Sequence, residues 1–221
     1  MLFRDRAHAA QLLFELLKKI HLTRPVVLGI PRGGVVVAQY LAEALGAELD
    51  FIVAKKLRSP WSSELAVGAL AEGGRSYLNS LGKKLQKEHP QYLEEEISRQ
   101  SDEVAQRVGL LRNSAPRLDW SYRTLILTDD GIATGATLLA ALEVLKAEQA
   151  LEVFVAVPVL PKDKIKEIRM HCDKLFYLMA PEKFDAVGQF YECFETVEFE
   201  EVKNRLQNQR SLEEKKMKEM N

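Results

Sequence analysis

The chain has 221 residues; Lys and Arg number 31 and Asp and Glu 32, for a net charge of −1. That length suits one large α/β domain, or one domain with a small attached lobe, and it can bury a full core without help from a cofactor. The charge balance excludes a global electrostatic pull toward nucleic acid or acidic membranes, so any anion site has to be local.

Arg4, Asp5 and Arg6 precede the first amphipathic run. No apolar segment approaches the roughly 20 residues that span a bilayer, and a cytoplasmic protein is expected. Cys172 and Cys193 lack a CxxC spacing, which points to buried free thiols rather than a disulfide or zinc site. His8, His21, His89 and His171 show no metal-ligand spacing.

Asp5 is placed to cap a first helix whose Leu12, Leu13, Leu16, Leu17 and Ile20 form one apolar face. A buried strand is predicted over 26–30, then the turn "PRGG", then a helix over 35–45 that ends at Gly46. A second strand is predicted over 49–54. The stretch "LRSPWSSELAVGALAEGGRSYL" breaks the βα rhythm and reads as a mobile loop followed by a small hairpin. Leu93, Ile97, Val104, Val108 and Leu111 repeat at helical spacing among charges, giving a surface helix over 90–113 with no one-sided basic stripe. Strands follow at 124–128, 152–157 and 174–179, with helices starting near Thr134 and Lys162.

These alternations predict a doubly wound, mainly parallel sheet flanked by helices. The expected domain covers 1–208, with hood elements near 57–80 and 181–200. A charged tail at 209–221 reads as a frayed helix or a disordered segment.

The most informative segment is "TLILTDDGIATGAT". A parallel strand that ends in this way delivers polar groups to the carboxyl edge of a sheet, where open α/β proteins bind ligands. Gly131 and Gly135 let the backbone turn and approach a ligand, while Thr134 and Thr137 add hydroxyl donors. Free amides at the start of the next helix, together with its dipole, favour a phosphate. Asp129 and Asp130 would repel that phosphate but can accept hydrogen bonds from sugar hydroxyls. One ligand carrying both groups explains the pattern.

These residues resemble the signature of the type I phosphoribosyltransferases. The resemblance extends over most of 2–205 to a branch of that family beginning with "FRDR" and carrying "LGIPRGGVVVA". It implies that Asp129 and Asp130 contact the ribose hydroxyls of phosphoribosyl pyrophosphate. Gly131, Ile132, Ala133, Thr134, Gly135, Ala136 and Thr137 would form the loop around the 5-phosphate. Arg32, Gly33 and Gly34 would bind pyrophosphate, and Lys55 or Lys56, at the end of the second strand, would neutralise it. The branch tends to carry an Arg-Lys pair and a glycine before the proline, whereas this chain has Lys55 and "LRSP".

The implied chemistry is displacement of pyrophosphate from the anomeric carbon by a nitrogen nucleophile, with Arg32 and Lys56 stabilising the departing charge. Mg²⁺ is expected as the cofactor, held by ligand oxygens and reached by Asp129 or Asp130 through water rather than by direct ligation. The acceptor is expected to be a nucleobase. In 6-oxopurine transferases an acid commonly stands where this chain has Ala133, which argues against hypoxanthine and guanine. Glu64, in the loop after Trp61, is a candidate for proton transfer. Phe184, Val187, Phe190 and Tyr191 lie in the expected hood, where an aromatic can stack on a base, although packing the lobe onto the sheet is the commoner role. Dimers are common in this fold, and a homodimer is compatible with the sequence. The alternative function is a regulator that binds the same ligand without turnover. A dinucleotide or P-loop site is disfavoured, since neither GxGxxG nor GxxxxGK[ST] occurs.

Overall fold

The computed structural model describes residues 2–62 and 65–219, with side chains as far as Leu212. Its centre is a parallel sheet of five strands: β1 (Val26–Gly29), β2 (Glu48–Phe51), β6 (Thr124–Thr128), β7 (Glu152–Val159) and β8 (Lys174–Met179). They lie in the order β2-β1-β6-β7-β8. Both faces are covered, and the strand sequences show why. Val27, Ile126, Phe154 and Ala156 face one apolar layer, while Val26, Leu28, Leu125, Leu127, Val153, Val155 and Val157 face the other. Alternate side chains of a strand point to opposite faces, so a near-continuous apolar run suits a sheet buried on both sides.

Helices α1 (Arg6–Leu17), α2 (Gly33–Leu45) and α7 (Phe199–Glu219) contribute to the first layer. Helix α5 (Ala136–Ala147) fills the second. Asp5 caps α1 as expected, accepting from the His8 amide at 2.7 Å. The apolar face of that helix is narrower than its leucines suggest. Ala9, Ala10, Leu13 and Leu17 are buried, but Leu16 is exposed.

The strand expected over 49–54 is two strands. The chain leaves the parallel sheet after Phe51, and β3 (Ala54–Arg58) begins a separate antiparallel sheet with β4 (Ala66–Ala71) and β5 (Ser76–Leu78). Ile52 and Val53 are both buried, so the apolar run continues through the change of sheet and conceals it. Lys55 and Lys56 therefore stand inside β3, opposite Leu70 and Ala69, rather than at the end of β2.

Helices α3 (Ser80–Glu88) and α4 (Pro90–Arg112) follow, and α4 packs on the small sheet. Beyond covering the surface, it buries Glu96 and Gln100. A five-residue helix, α6 (Ile165–Arg169), links β7 to β8.

After β8 the chain folds back over the sheet's carboxyl edge. Phe190 and Tyr191 pack there with Phe3, Ala9 and Val159. The tail expected from 209 is continuous with α7 as far as Glu219. The cysteines are not both buried: Cys172 is half-buried and Cys193 exposed. Burial nonetheless raises the Cys172 thiol to about 11, which leaves it an unreactive thiol at neutral pH. Among the described residues, no helix is long and apolar enough to cross a membrane.

Candidate active site

Strands β1 and β6 are neighbours, with Gly29 beside Thr128. From β1 the chain crosses to β2 on one side, while from β6 it crosses to β7 on the other. The winding direction reverses between them, leaving a crevice at their carboxyl ends. The two sequence motifs emerge there side by side, with Ile30 N donating to Thr128 O at 3.2 Å.

The motifs interlock. A Cβ on Gly33 would overlap the Asp130 carboxylate, and one on Gly34 would lie 2.8 Å from Asp129 Oδ1 and 3.1 Å from Thr128 O. Glycine is required at both positions because the acidic strand end occupies the side-chain space. The Pro31–Arg32 peptide is cis.

Asp129 and Asp130 face different surroundings. Asp129 borders two adjoining cavities. Burial, and then the charge of Asp130, push its carboxyl well above the usual range. Asp130 borders neither cavity; its Oδ2 accepts from Arg6 Nε and Nη2 at 2.9 and 2.8 Å. Burial also raises this carboxyl, and Arg6 opposes that shift.

The first cavity, of about 210 Å³, is lined by the loop from Gly131 to Gly135, with Asp129, Thr137, Lys56 and Val187. Gly135 has a φ of 79° and precedes α5 with no side-chain cap. The first amides of α5 have no intrahelical acceptor, so they are available to an anion. Ala136 is buried beneath the loop. A β-branched residue at 135 would strain this left-handed turn. Gly135→Val is expected to weaken phosphate-ester binding by roughly 5- to 150-fold, the equivalent of about 1–3 kcal/mol of backbone strain, as titration calorimetry would show.

The second cavity, of about 400 Å³, adjoins the first through Lys56, Asp129 and Thr137. Its wall carries Lys55, Lys56, Arg58 and Arg107, together with Ile30, Pro31 and Gln100. Three contacts join α4 to β3 here: Lys55 pairs with Glu103, Arg58 N donates to Glu96 Oε1 at 3.0 Å, and Tyr92 OH donates to Arg58 O at 3.2 Å. Burial, followed by the charges of Arg107 and Arg58, depresses the Lys55 ammonium. Cations held this close favour an anion between them.

Arg58 and Arg107 carry no signal in the sequence that marks them as site residues. Arg107 is one of several charges on a long helix, and only the packing of α4 on β3 brings it to the cavity. Conversely, Arg32 borders neither cavity; its guanidinium faces Glu198 at 3.5 Å. Glu64 lies outside the described residues, and Trp61 nearby is exposed, its ring in a T-shaped contact with that of His89. Val187 reaches the loop after β6, where a Cβ on Gly131 would meet it at 2.5 Å. Phe184, Phe190 and Tyr191 pack against one another and Phe3. A further cavity of about 300 Å³ near Lys146, His171 and Asp173 opens where β7 begins, at the opposite edge of the sheet.

Residues 4–192 match the family model described as the phosphoribosyl transferase domain. The chain belongs to that family. It is 38% identical over 204 residues to the "Putative phosphoribosyl transferase" of Mycobacterium tuberculosis H37Rv, covering 91% of this chain and 45% of that protein. The chain thus spans about half the length of the curated relatives it matches. The crystal structure of TT1426 from Thermus thermophilus is 40% identical, with a TM-score of 0.82 over 94% of this chain and 99% of that one. The AQ2163 protein of Aquifex aeolicus shares the fold at 15% identity and a TM-score of 0.52, covering 83% and 76%. The parallel sheet, flanking helices and small antiparallel sheet are therefore those of a phosphoribosyltransferase-type domain.

Proposed function

We propose that this domain binds 5-phosphoribosyl 1-pyrophosphate and transfers its phosphoribosyl group to a nitrogenous acceptor of the nucleobase class. The observation that carries the reading is the junction of two cavities at Asp129. One side offers helix amides and threonine hydroxyls for a phosphate monoester, and the other offers four cations for a more highly charged group. A ligand with a phosphate at one end, a pyrophosphate at the other and a hydroxylated sugar between them satisfies both.

In this reading Ala133, Thr134, Gly135, Ala136 and Thr137 hold the 5-phosphate, with Gly131 and Ile132 shaping the turn. Asp129 and Asp130 read the ribose hydroxyls. Lys55, Lys56, Arg58 and Arg107 take the charge that leaves with pyrophosphate, while Gly33 and Gly34 let the loop approach it. Arg32 joins them by leaving the exposed Glu198, a partner of little worth at the surface.

Mg²⁺ fits the donor set. Asp129 offers hard carboxylate oxygens beside both cavities, with Asp130 next to it in the chain. Asp129 or Asp130 would hold the ion through water, and the ion would offset the charge of the pyrophosphate oxygens. The chain's own residues align the anomeric carbon and exclude water from it. Ala133 carries no carboxylate to contact an oxopurine, so other bases are preferred as acceptors.

The test is titration calorimetry with phosphoribosyl pyrophosphate and Mg²⁺, followed by a pyrophosphate-release screen across nucleobases. Binding with base-dependent release is expected. Binding without release for any base would make the domain a sensor of the same ligand, and no binding by folded protein would reject the reading. Arg107→Gln should weaken pyrophosphate by about ten- to a hundred-fold, as expected for a charged hydrogen bond. Unchanged affinity would remove Arg107 from the site.

A further inference from the structure

Glu96 is out of place on a helix that covers the surface. Its side chain is only 2% exposed, and it shares the inward face of α4 with Leu93, Gln100 and Val104. Leu93 of that face belongs to an apolar cluster with Leu57, Val67, Leu70 and Leu85. A leucine at 96 would suit such a face, whereas a carboxylate has to be taken out of water. That burial is tolerated where hydrogen bonds replace the lost water.

The bonds that Glu96 receives lead to the cationic cavity. Its Oε1 accepts from the Arg58 amide at 3.0 Å and from Gln100 Nε2 at 3.1 Å. Arg58 and Gln100 both line that cavity. Its Oε2 pairs with Arg99, whose side chain is exposed. One turn earlier on α4, the hydroxyl of the half-buried Tyr92 donates to the Arg58 carbonyl at 3.2 Å. Both backbone polar groups of Arg58 are therefore held by α4.

Arg58 sits where the small sheet is irregular. Leu57 lies opposite Gly68 but Arg58 opposite Ala66, so the pairing of β3 with β4 slips by one residue between them. A slip of this kind interrupts the regular ladder and re-aims a side chain. Burial, and then the charges of Arg107 and Arg58, depress the Lys55 ammonium, which makes these three cations near neighbours.

We infer that Glu96 is a positioning residue for the pyrophosphate end of the site: it fixes the backbone of Arg58 at the slip and so sets where that side chain stands in the cavity wall. The inference rests on the proposed function, which gives Arg58 part of the charge of pyrophosphate. Coulomb's law alone predicts the opposite effect, since removing an anion beside a cationic wall strengthens the hold of that wall on another anion. The two accounts differ in sign.

The test is titration calorimetry on the full chain without metal, using inorganic pyrophosphate for the cationic cavity and ribose 5-phosphate for the loop before α5. Glu96→Leu keeps the bulk and offers no acceptor. It should weaken pyrophosphate by about five-fold or more, the loss of a hydrogen bond to a charged group less the Coulombic gain, with ribose 5-phosphate bound as in the wild type. Glu96→Gln keeps an oxygen for the Arg58 amide and loses the charge, so it should bind pyrophosphate at least as tightly as the wild type. Arg58→Ala should itself weaken pyrophosphate by about ten-fold or more. In that background Glu96→Leu should cause no further loss, because a residue that acts through Arg58 has nothing left to position.

Unchanged or tighter pyrophosphate binding in Glu96→Leu overturns the inference. So does a loss that extends to ribose 5-phosphate, persists in Arg58→Ala or is equally large in Glu96→Gln, as a merely structural role would give. If Glu96→Leu does not fold, Tyr92→Phe decides. It removes the other hold on Arg58 and should weaken pyrophosphate alone by about two- to ten-fold, so wild-type affinity would reject the assignment. Wild-type pyrophosphate binding in Arg58→Ala takes Arg58 out of the site and the inference with it, leaving the phosphate loop standing. Failure of the folded wild type to bind either ligand would sink the functional reading itself.

Discussion

In the proposed transfer reaction, Gly33→Ala is expected to lower the rate of pyrophosphate release by on the order of a hundred-fold, the cost of displacing reacting groups by about 1 Å. The added methyl group would occupy the position of the Asp130 carboxylate and lie 3.1 Å from Arg6 Nε. The hydrogen bond to Glu195 O and the Phe194 ring resist a shift of Arg6. The acid must turn away or the loop must lift, and in both cases sugar and pyrophosphate recognition fall out of register. Stability should fall by about 1–3 kcal/mol, as for other overpacked sites. Gly109→Ala is the matched control. It lies within α4 with no atom near its added Cβ, so helix propensity predicts a gain of about 1 kcal/mol in stability and unchanged turnover. Steady-state kinetics and thermal melts on both variants check the contrast. Wild-type turnover in Gly33→Ala would mean that the two loops need not interlock.

Asp50→Ala is expected to be the most destabilising single change, at about 3–5 kcal/mol, because it strips a buried charge network of its acceptor. Asp50 is fully buried on β2. It accepts from Arg112 Nη1, from Trp120 Nε1 at 2.9 Å and from the Leu118 amide at 3.1 Å. Arg210 of α7 approaches it at 3.8 Å. The carboxylate thus joins the edge of the parallel sheet to α4, to the segment before β6 and to α7. Its removal would leave the Arg112 guanidinium, which stacks on Phe51 at 3.8 Å, with Glu72 as a weaker ion partner at 3.5 Å. The expected fall in Tm is about 6–20 °C for a domain of this size. Denaturant titration with an unchanged m-value would assign the loss to the folded state. A change below about 1 kcal/mol would show that water replaces the carboxylate well, unlike the usual outcome when a buried ion pair loses one partner.

Arg6 and Asp130 differ in how far sequence pattern reveals them. The acid pair is recognisable because its chemistry is local: a strand, two carboxylates and a helix start lie in one stretch of chain. Arg6 is marked only as part of FRDR, and its pairing with Asp130, 124 residues away, has no local signature. Arg107 is a similar case. Helical spacing places it on a surface helix, and only the docking of α4 beside β3 turns it toward Lys55 and Arg58.

The change of sheet after Phe51 is hidden for a different reason. Hydrophobic alternation reports burial, and Ile52 and Val53 stay buried while the chain passes from a parallel to an antiparallel partner. Backbone pairing is not encoded in side-chain polarity, so Lys55 and Lys56 read as the end of β2 when they belong to β3. The sequence places Arg32 on the turn after β1, but loop position does not fix where a long side chain points. Its contact with Glu198 depends on where the segment before α7 comes to rest.

By itself, the sequence determined the α/β class, the strand-loop-helix order and the stretch of chain in which the paired acids and the glycine-bearing loop lie together. Each of these depends on residues that are close in the chain and follow periods of 2 or 3.6. Tertiary structure decided that the two glycine-bearing loops interlock, that Asp129 rather than Asp130 borders both cavities, and that four cations converge on the second. Those facts depend on distances between residues far apart in sequence. Such distances are set by how layers pack around the sheet, which no local pattern records.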